Sequence, residues 1–222
     1  MTARLVPLAI FLALLGPAED GFAPLFDGES LAGWTSIGGR AGNWRAEEGR
    51  LILRGQGKDW LSTNRAFGDF VLRLEYRIGP GGNSGVLIRA PHQGDPSFDG
   101  LEIQILDDDA PEYRSLRPDQ YSGSVYGVVA ASRGHVSAPG RWNSLEIRAQ
   151  GSKVRVELNG FPVVDADLAR HPEHLARHPG LSRRSGFLGL QSHESPAEFR
   201  NITIRKLHRP PGVPTDHPDR SP

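Results

Sequence analysis

The sequence predicts an all-β fold built as a sandwich of two sheets. Apolar and polar residues alternate through most of the chain, which is typical of strands with one buried and one polar face. Glycine and proline interrupt this alternation at short intervals, with 27 Gly and 18 Pro in 222 residues. Helical spacing is nearly absent. Many short strands separated by turns, within the length of one domain, favour a single β-sandwich.

The predicted strands follow one another along the chain. The clearest alternating runs are FVLRLEYRI (70–78), GVLIRA (85–90), GLEIQIL (100–106), SLEIRAQ (144–150), FLGLQSH (187–193) and FRNITIRKL (199–207). In GVLIRA, Val86 and Ile88 share the core face, so Arg89 is expected on the opposite, polar face. Asn159-Gly160 predicts a tight hairpin turn between two further strands.

One segment, residues 165–181, carries plausible helical spacing. Pro172 and Pro179 limit it to short turns, because proline ends a helix. The segment contains three histidines, His171, His174 and His178. Their spacing suggests a metal site, but no carboxylate joins them in a known motif, so a solvated histidine-rich loop is preferred. We expect no cofactor, and a metal ion stays open as an alternative.

Both ends of the sequence differ from its centre. Arg4, the apolar run 5–15 and Ala18 have the layout of a signal peptide over residues 1–18, and the run is too short to span a membrane. An uncleaved anchor is the alternative. Residues 209–222 contain five prolines and predict a disordered tail. We expect an exported protein, periplasmic or extracellular, with one folded domain over residues 21–208.

The composition excludes several classes of function. The 26 basic and 26 acidic residues balance, which argues against a nucleic-acid partner, since phosphate binding needs a surplus of Lys and Arg. Because the chain has no cysteine, disulfides, thiolate-bound zinc and a cysteine nucleophile are excluded. The sequence carries no signal for the oligomeric state.

Polar residues on several predicted strands form the candidate site. In GLEIQIL, Ile103 and Ile105 are expected in the core, so Glu102 and Gln104 face the opposite side, and Asp107 follows them. Other segments offer matching polar side chains, namely those of Arg89, Gln191, His193 and Asn83, the last in the glycine-rich turn GPGGNSG. The aromatic residues Trp60, Tyr121 and Tyr126 are candidates to stack on a sugar ring.

An acid, a guanidinium, an imidazole and several amides on one concave sheet face predict a carbohydrate or glycoside site. The predicted catalytic residues are Glu102, His193 and Arg89. The predicted substrate-binding residues are Asn83, Gln104, Asp107, Gln191, Tyr126 and Trp60. Two simpler interpretations stay open: a solvated polar face, and an ion pair between Arg89 and Glu102 across neighbouring strands.

The string EIQILD (102–107) resembles the E-x-D-x-x-E strand of laminarinase-like glucanases, which share a two-sheet jelly roll. In those enzymes the outer carboxylates act as nucleophile and acid. Here Gln104 replaces the middle acid, and the shorter Asp107 replaces the last one. A direct double displacement needs two carboxyl groups about 5–5.5 Å apart, so this mechanism is weakly supported.

Seven segments together resemble the 3-keto-disaccharide hydrolase family. They are residues 21–34, 68–91, 101–108, 124–130, 140–147, 158–165 and 186–207, and they include GFAPLFDGESLAGW and GFLGLQSHESPAEFRNITIRKL. The resemblance implies a concanavalin A-like jelly roll secreted by bacteria that scavenge polysaccharides or glycosides. It departs at Ser192–Ser195, which reads SHES where the family more often has Asp-His-Gly; this leaves the loop shape open.

Two functions from different classes follow from this resemblance. Family members resemble hydrolases of glycosides already oxidised to a ketone at sugar carbon 3, which cleave by elimination and hydration. The resemblance also allows a member that binds sugar without chemistry, so a non-catalytic carbohydrate-binding module of the same fold is the alternative. A titratable group in the pocket distinguishes the two, because binding alone needs only amides and aromatic rings.

Overall fold

The protein is described by a computed structural model over residues 21–207. Within this range, thirteen strands form two antiparallel sheets, which confirms the predicted all-β sandwich. The strands are β1 (Ala23–Pro24), β2 (Trp34–Ile37), β3 (Trp44–Glu47), β4 (Arg50–Leu53), β5 (Lys58–Phe67), β6 (Phe70–Ile78), β7 (Asn83–Ala90), β8 (Leu101–Leu106), β9 (Asn143–Gln150), β10 (Lys153–Leu158), β11 (Phe161–Asp167), β12 (Gly186–His193) and β13 (Ala197–Lys206).

The strand order brings together segments that are far apart in the sequence. The larger sheet has eight strands in the order β11-β10-β9-β6-β13-β4-β3, with β1 added beside β13. The smaller sheet has five strands in the order β2-β5-β12-β7-β8. Because β12 lies between β5 and β7, residues near position 190 become neighbours of residues near positions 60 and 86.

The core lies between the sheets and follows the predicted alternation. Ile103 and Ile105 are fully buried in the main apolar cluster, together with Leu72 and Leu74 from the larger sheet. The opposite face of β8 therefore carries Glu102 and Gln104, as β-strand geometry requires. The prediction of which β8 side chains face the core is confirmed.

Helical structure is confined to short pieces in the described residues. The one α-helix, α1, covers Pro96–Asp99. Short 3₁₀ helices occupy Pro111–Tyr113, Pro118–Gln120, Leu168–Arg170, Pro172–His174 and Pro179–Ser182. The proline-limited turns expected within 165–181 are thus confirmed, although β11 occupies the first residues of that segment.

The hairpin predicted at Asn159-Gly160 joins β10 to β11. Leu158 pairs with Phe161, and both loop residues have positive φ, 52° at Asn159 and 81° at Gly160. A two-residue loop with two positive φ angles matches the twist of the flanking strands.

The predicted signal peptide (1–18) and proline-rich tail (209–222) lie outside the described residues. None of the helices within 21–207 is long and apolar enough to cross a membrane.

Candidate functional site

A cavity of about 590 Å³ lies on the face of the smaller sheet that points away from the core. Strands β5, β12, β7 and β8 supply polar side chains to it, and the segment around α1 lines one side. Seven of the nine predicted site residues line this cavity: Glu102, His193, Asn83, Gln104, Gln191, Tyr126 and Trp60. Arg89 and Asp107 are not among the lining residues.

Two glycines in the strands make room for the side chains of Glu102 and Trp60. A Cβ atom at Gly85 would overlap the Glu102 carboxyl group, so the acid lies directly across this glycine. A Cβ atom at Gly189 would overlap the indole of Trp60. Glycine within a strand often marks a close approach of another group. The two glycines therefore let an acid and an aromatic ring lie against the sheet.

Glu102 is a buried acid inside the cavity. The residue is only 3% exposed, and its Oε2 accepts a hydrogen bond of 2.9 Å from Gln191 Nε2. Burial raises the pKa of Glu102 from 4.5 to about 7, and Asp95 raises it further, while hydrogen bonds with Ser97 and Gln191 act in the opposite direction. Near neutral pH this carboxyl group exists in both protonation states, as a proton-transfer group requires.

Ser97 reaches this acid because α1 holds it there. Asp95 caps the helix by accepting a hydrogen bond of 3.0 Å from the Ser97 backbone N–H. The Ser97 hydroxyl accepts a hydrogen bond of 3.1 Å from Gln191 Nε2 and also bonds to Glu102. The sequence prediction missed Ser97, although Asp95-Pro96 is a recognisable helix start that could have indicated a helix here.

His193 and Asn83 stand together at another part of the cavity. Asn83 Nδ2 lies 3.5 Å from His193 Nδ1. Ser195 fixes the backbone of Asn83, since its hydroxyl accepts from Asn83 N–H at 2.8 Å and donates to the Asn83 carbonyl at 2.7 Å. Ser195, the last residue of the SHES string, therefore positions the predicted site residue Asn83.

Within the SHES string, the backbone of Glu194 has a conformation that is typical of glycine. Glu194 occupies the position where the family more often has glycine, and its φ is 58°. This left-handed conformation is one that glycine adopts readily and glutamate rarely. Ser192 stands where the family more often has aspartate, and its hydroxyl donates to the Gly57 carbonyl at 2.6 Å.

Gln104 and Tyr126 offer hydrogen-bond donors to a ligand. Gln104 Oε1 accepts a hydrogen bond of 3.0 Å from the Ile105 backbone N–H, which leaves its Nε2 as the group available to the cavity. The Tyr126 hydroxyl accepts a hydrogen bond of 2.8 Å from Gln120 Nε2, so its hydrogen can be donated to a ligand.

An aromatic cluster occupies one end of the cavity. The His92 ring stacks on Phe187 at 3.6 Å and is tilted against Trp60 at 5.8 Å. His92 Nε2 is fixed by a contact of 2.9 Å with Ser62 Oγ. Apolar ring faces of this kind suit the C–H faces of a sugar. The sequence prediction identified Trp60 but missed His92, because the loop that carries it has no alternating pattern.

Arg89 does not lie on the polar face of the sheet, where the sequence analysis placed it with the other site residues. Between the pairs Leu87–Gly189 and Ala90–Phe187, β7 has two residues where β12 has one. This β-bulge gives Arg89 a φ of 53°, and the alternation changes face beyond it. The next residue, Ala90, packs with Trp60 and Leu87 on the cavity side.

The Arg89 guanidinium is buried at the end of the sandwich. Its Nη1 donates to the carbonyls of Gly151 at 2.7 Å and Arg183 at 3.1 Å, and its Nη2 contacts Asp69 at 3.4 Å. The acid beside it is therefore Asp69, whereas the alternative interpretation paired Arg89 with Glu102. These contacts connect the β9–β10 turn to the segment before β12.

Asp107 and Tyr121 also lie away from the cavity. Asp107 Oδ2 accepts a hydrogen bond of 2.8 Å from the Gly81 backbone N–H, so Asp107 fixes a turn and does not line the cavity, where a substrate-binding role was predicted for it. The Tyr121 hydroxyl donates to the Tyr113 carbonyl at 2.9 Å. Asp107 leaves the alternation at the end of β8, which explains why its spacing from Glu102 was misleading.

One cluster of side chains in the described residues has the composition of a metal site. The candidate ligand atoms of His171, Glu173 and His174 lie within 4.8 Å of one another, with Glu173 Oε1 3.5 Å from His171 Nδ1 and 3.6 Å from His174 Nε2. Glu173 is the carboxylate that the sequence interpretation did not connect to these histidines. His178 is instead buried, with its ring 4.8 Å from that of Phe98, and desolvation lowers its pKa.

Comparisons with known proteins identify the family of this chain. The model of the 3-keto-alpha-glucoside-1,2-lyase-like domain family matches residues 21–205. A 3-keto-disaccharide hydrolase of Bacteroides thetaiotaomicron is 25% identical over 85% of this chain and 79% of its own length. The resemblance inferred from the sequence is thereby confirmed.

Solved structures support the same fold. A candidate glycosyl hydrolase from Parabacteroides distasonis superposes with a TM-score of 0.74 at 29% identity, covering 84% of this chain and 99% of that protein. A carbohydrate-binding module from Bacillus subtilis shares the fold with a TM-score of 0.55 at 17% identity, covering 78% of this chain and 96% of the module. From its sequence match and its architecture, this chain belongs to the 3-keto-alpha-glucoside-1,2-lyase-like domain family.

Proposed function

We propose that this protein is an enzyme that cleaves the glycosidic bond of sugars carrying a ketone at carbon 3, by elimination and subsequent hydration. The observation that carries the proposal is Glu102, a buried acid in a polar cavity whose pKa is raised to about 7. A module that only binds sugar does not need a buried ionisable group, because amides and aromatic rings suffice and burying a charge costs free energy.

The ketone makes the reaction accessible to a carboxylate base. Glu102 removes the proton from C2, and the C–H electron pair forms an enolate whose charge rests on the oxygen at carbon 3. The enolate returns its electron pair, a double bond forms between C1 and C2, and the C1–O bond breaks as the leaving oxygen takes a proton. Water then adds its oxygen to C1 and a proton to C2, which completes a net hydrolysis without a covalent sugar–enzyme intermediate.

The remaining cavity residues have complementary roles in this scheme. Gln104 Nε2 and Asn83 Nδ2 are the proposed donors to the enolate oxygen, and they replace Arg89 in that role. His193 beside Asn83 is the proposed acid for the leaving oxygen, since an imidazole transfers protons near neutral pH. Trp60 supplies a surface for the sugar ring.

A carbohydrate-binding module is the second candidate. The amides of Asn83, Gln104 and Gln191, together with the indole of Trp60, would suffice to bind a sugar. In that case Glu102 would contribute to affinity and no bond would be cleaved.

The two candidates are distinguished by incubating the protein with a 3-keto-glucoside and with its unoxidised parent. Cleavage of the ketone alone, reduced roughly 10²–10⁴-fold by Glu102→Gln, is the expected result for general acid–base catalysis. A substrate with deuterium at C2 should react more slowly or lose the label to water. Binding of both sugars without any cleavage would favour the module.

We further propose that the protein is exported to the periplasm or the cell exterior. Arg4, the apolar run 5–15 and Ala18 support this proposal. The mass of the exported protein should correspond to a chain that lacks residues 1–18, and an intact Met1 would contradict it.

A further inference from the structure

We infer that Gln191 is a positioning residue that holds the Glu102 carboxyl group in both of its protonation states by turning its side-chain amide. The inference deepens the proposed function and rests on it for the role of Glu102 in proton transfer. The contacts between the two side chains can nevertheless be tested without turnover.

The amide of Gln191 is fully engaged on one side. Its Nε2 donates to Glu102 Oε2 at 2.9 Å and to Ser97 Oγ at 3.1 Å, so both amide hydrogens have acceptors. This arrangement matches an ionised Glu102, which offers only acceptors. Gln191 therefore stabilises the carboxylate and fixes its orientation over Gly85.

The other side of the amide has an unused acceptor. Gln191 Oε1 is buried without a hydrogen-bond partner in the part of the chain that the structure describes. A buried carbonyl without a donor is unfavourable, and such atoms are rare in folded proteins. In its present orientation the amide therefore donates a hydrogen bond to the carboxylate of Glu102, while its own oxygen lacks a donor within residues 21–207.

Protonation of Glu102 reverses this balance. A proton on Oε2 would face the N–H groups of Gln191, donor against donor. Turning the amide by half a turn places Oε1 where Nε2 was, and Oε1 then accepts from the Glu102 hydroxyl and from Ser97, whose hydroxyl can both donate and accept. The proton stays on Glu102, and only the amide changes orientation. The same two side chains thus hold both states of the acid.

Gln104, two residues from Glu102 on β8, is a natural control for this behaviour. Its Oε1 accepts from the Ile105 backbone N–H at 3.0 Å, so turning this amide would break a hydrogen bond. Gln104 also lines the cavity, but no hydrogen bond to Glu102 is found for it within residues 21–207. Its amide should therefore not respond to Glu102.

Other titratable or charged side chains also line the cavity around Glu102. They are Lys58 and Asp59 on β5, His92 and Asp95 before α1, and His193 on β12. Asp95 raises the pKa of Glu102. Because these groups titrate or carry charge themselves, the test must follow the side chains of Gln191 and Glu102 directly.

The experiment is a titration of the side-chain amide resonances of the whole protein by NMR, from pH 5 to pH 9. The Gln191 NH₂ signals should move with a midpoint of about 7, and infrared spectroscopy of the Glu102 carboxyl group should give the same midpoint. The Gln104 signals should not show this midpoint, and Glu102→Gln should abolish it at Gln191. Stationary Gln191 signals across the Glu102 transition would overturn the inference.

The variant Gln191→Met tests the positioning role by removing both donors while keeping the size of the side chain. The Glu102 midpoint should rise by less than about one pH unit, because the variant removes a hydrogen bond from both protonation states and the bond to the charged carboxylate is the stronger one. With a 3-keto-glucoside, kcat should fall more than KM changes, and the pH midpoint of its acid limb should rise by the same amount. A rise of about two pH units or more would mean that Gln191 bonds to the carboxylate alone, and it would overturn the inference. A shifted midpoint without any cleavage would instead refute the proposed function alone.

Discussion

Gly85 lies directly beneath the carboxyl group of Glu102, on the strand next to it. The three atoms nearest to a Cβ added at Gly85 all belong to the flexible side chain of Glu102, so Gly85→Ala should fold and displace the acid. We expect cleavage of a 3-keto-glucoside to fall by at least tenfold with little change in melting temperature. Gly79→Ala is the matched control, since a Cβ there meets nothing within 4 Å. Full activity in Gly85→Ala would show that the position of Glu102 is unimportant.

The raised pKa of Glu102 predicts how stability depends on pH. The unfolded chain has the ordinary carboxyl pKa of 4.5, whereas the folded protein has a pKa of about 7. Between these values the folded state binds more protons than the unfolded state, so the free energy of unfolding decreases as pH rises. Above pH 7 the total loss in the free energy of unfolding, relative to acidic pH, approaches about 3 kcal/mol, because each pKa unit corresponds to about 1.4 kcal/mol.

The variant Glu102→Gln removes this pH dependence. Denaturant unfolding at pH 5 and pH 8 should show that the variant gains stability relative to the wild type as pH rises. A difference between the two proteins that is the same at both pH values would mean that the pKa of Glu102 is not raised. Ile103→Ala, one residue along β8, should cost roughly 2–5 kcal/mol at both pH values because Ile103 is fully buried in the core.

The backbone at Glu194 predicts a stabilising substitution. Its φ of 58° is unfavourable for a residue with a Cβ, and glycine adopts it freely. Glu194→Gly should therefore raise the free energy of unfolding by up to about 1 kcal/mol, after the greater flexibility of glycine in the unfolded chain is subtracted. Glu194→Ala keeps the Cβ and should bring no such gain. Equal stability of the two variants would rule out backbone strain as the cause.

Local alternation was sufficient to predict the sheet and most of the site. Ile103 and Ile105 face the core and Glu102 and Gln104 face the cavity, because side chains alternate strictly along a regular strand. Arg89 shows where this reasoning ends. Its direction depends on a bulge opposite Leu188, a residue almost a hundred positions away, and one strand alone does not reveal such a pairing.

Residues outside the strands were harder to predict for a different reason. Ser97 and His92 reach the cavity only because the segment around α1 packs over the sheet, and this depends on tertiary contacts. The prediction also grouped Asp107, which binds a turn, with Glu102, which faces the cavity. Glu102 lies near the start of β8 and Asp107 directly follows its end, so their odd separation along the chain does not place both side chains on one face.

The contacts of Arg89 predict a structural role that can be separated from catalysis. Its guanidinium is fully buried and bonds to two backbone carbonyls and Asp69. Arg89→Met should remove a donor from the Gly151 carbonyl and one of two donors from the Arg183 carbonyl, and it should leave Asp69 without this cation, at a cost of about 3–5 kcal/mol in the free energy of unfolding. Asp69→Asn keeps a polar partner and should cost less.

The decisive measurement for Arg89 is activity per folded molecule. If Arg89 only supports the fold, the folded fraction of Arg89→Met at low temperature should cleave a 3-keto-glucoside with a kcat near that of the wild type. Glu102→Gln, measured beside it, should show the opposite pattern, with the stability kept near pH 5 and the activity lost near pH 7. A large loss of kcat in fully folded Arg89→Met would mean that Arg89 acts on the substrate despite its position, and the assignment of enolate stabilisation to Gln104 and Asn83 would be wrong.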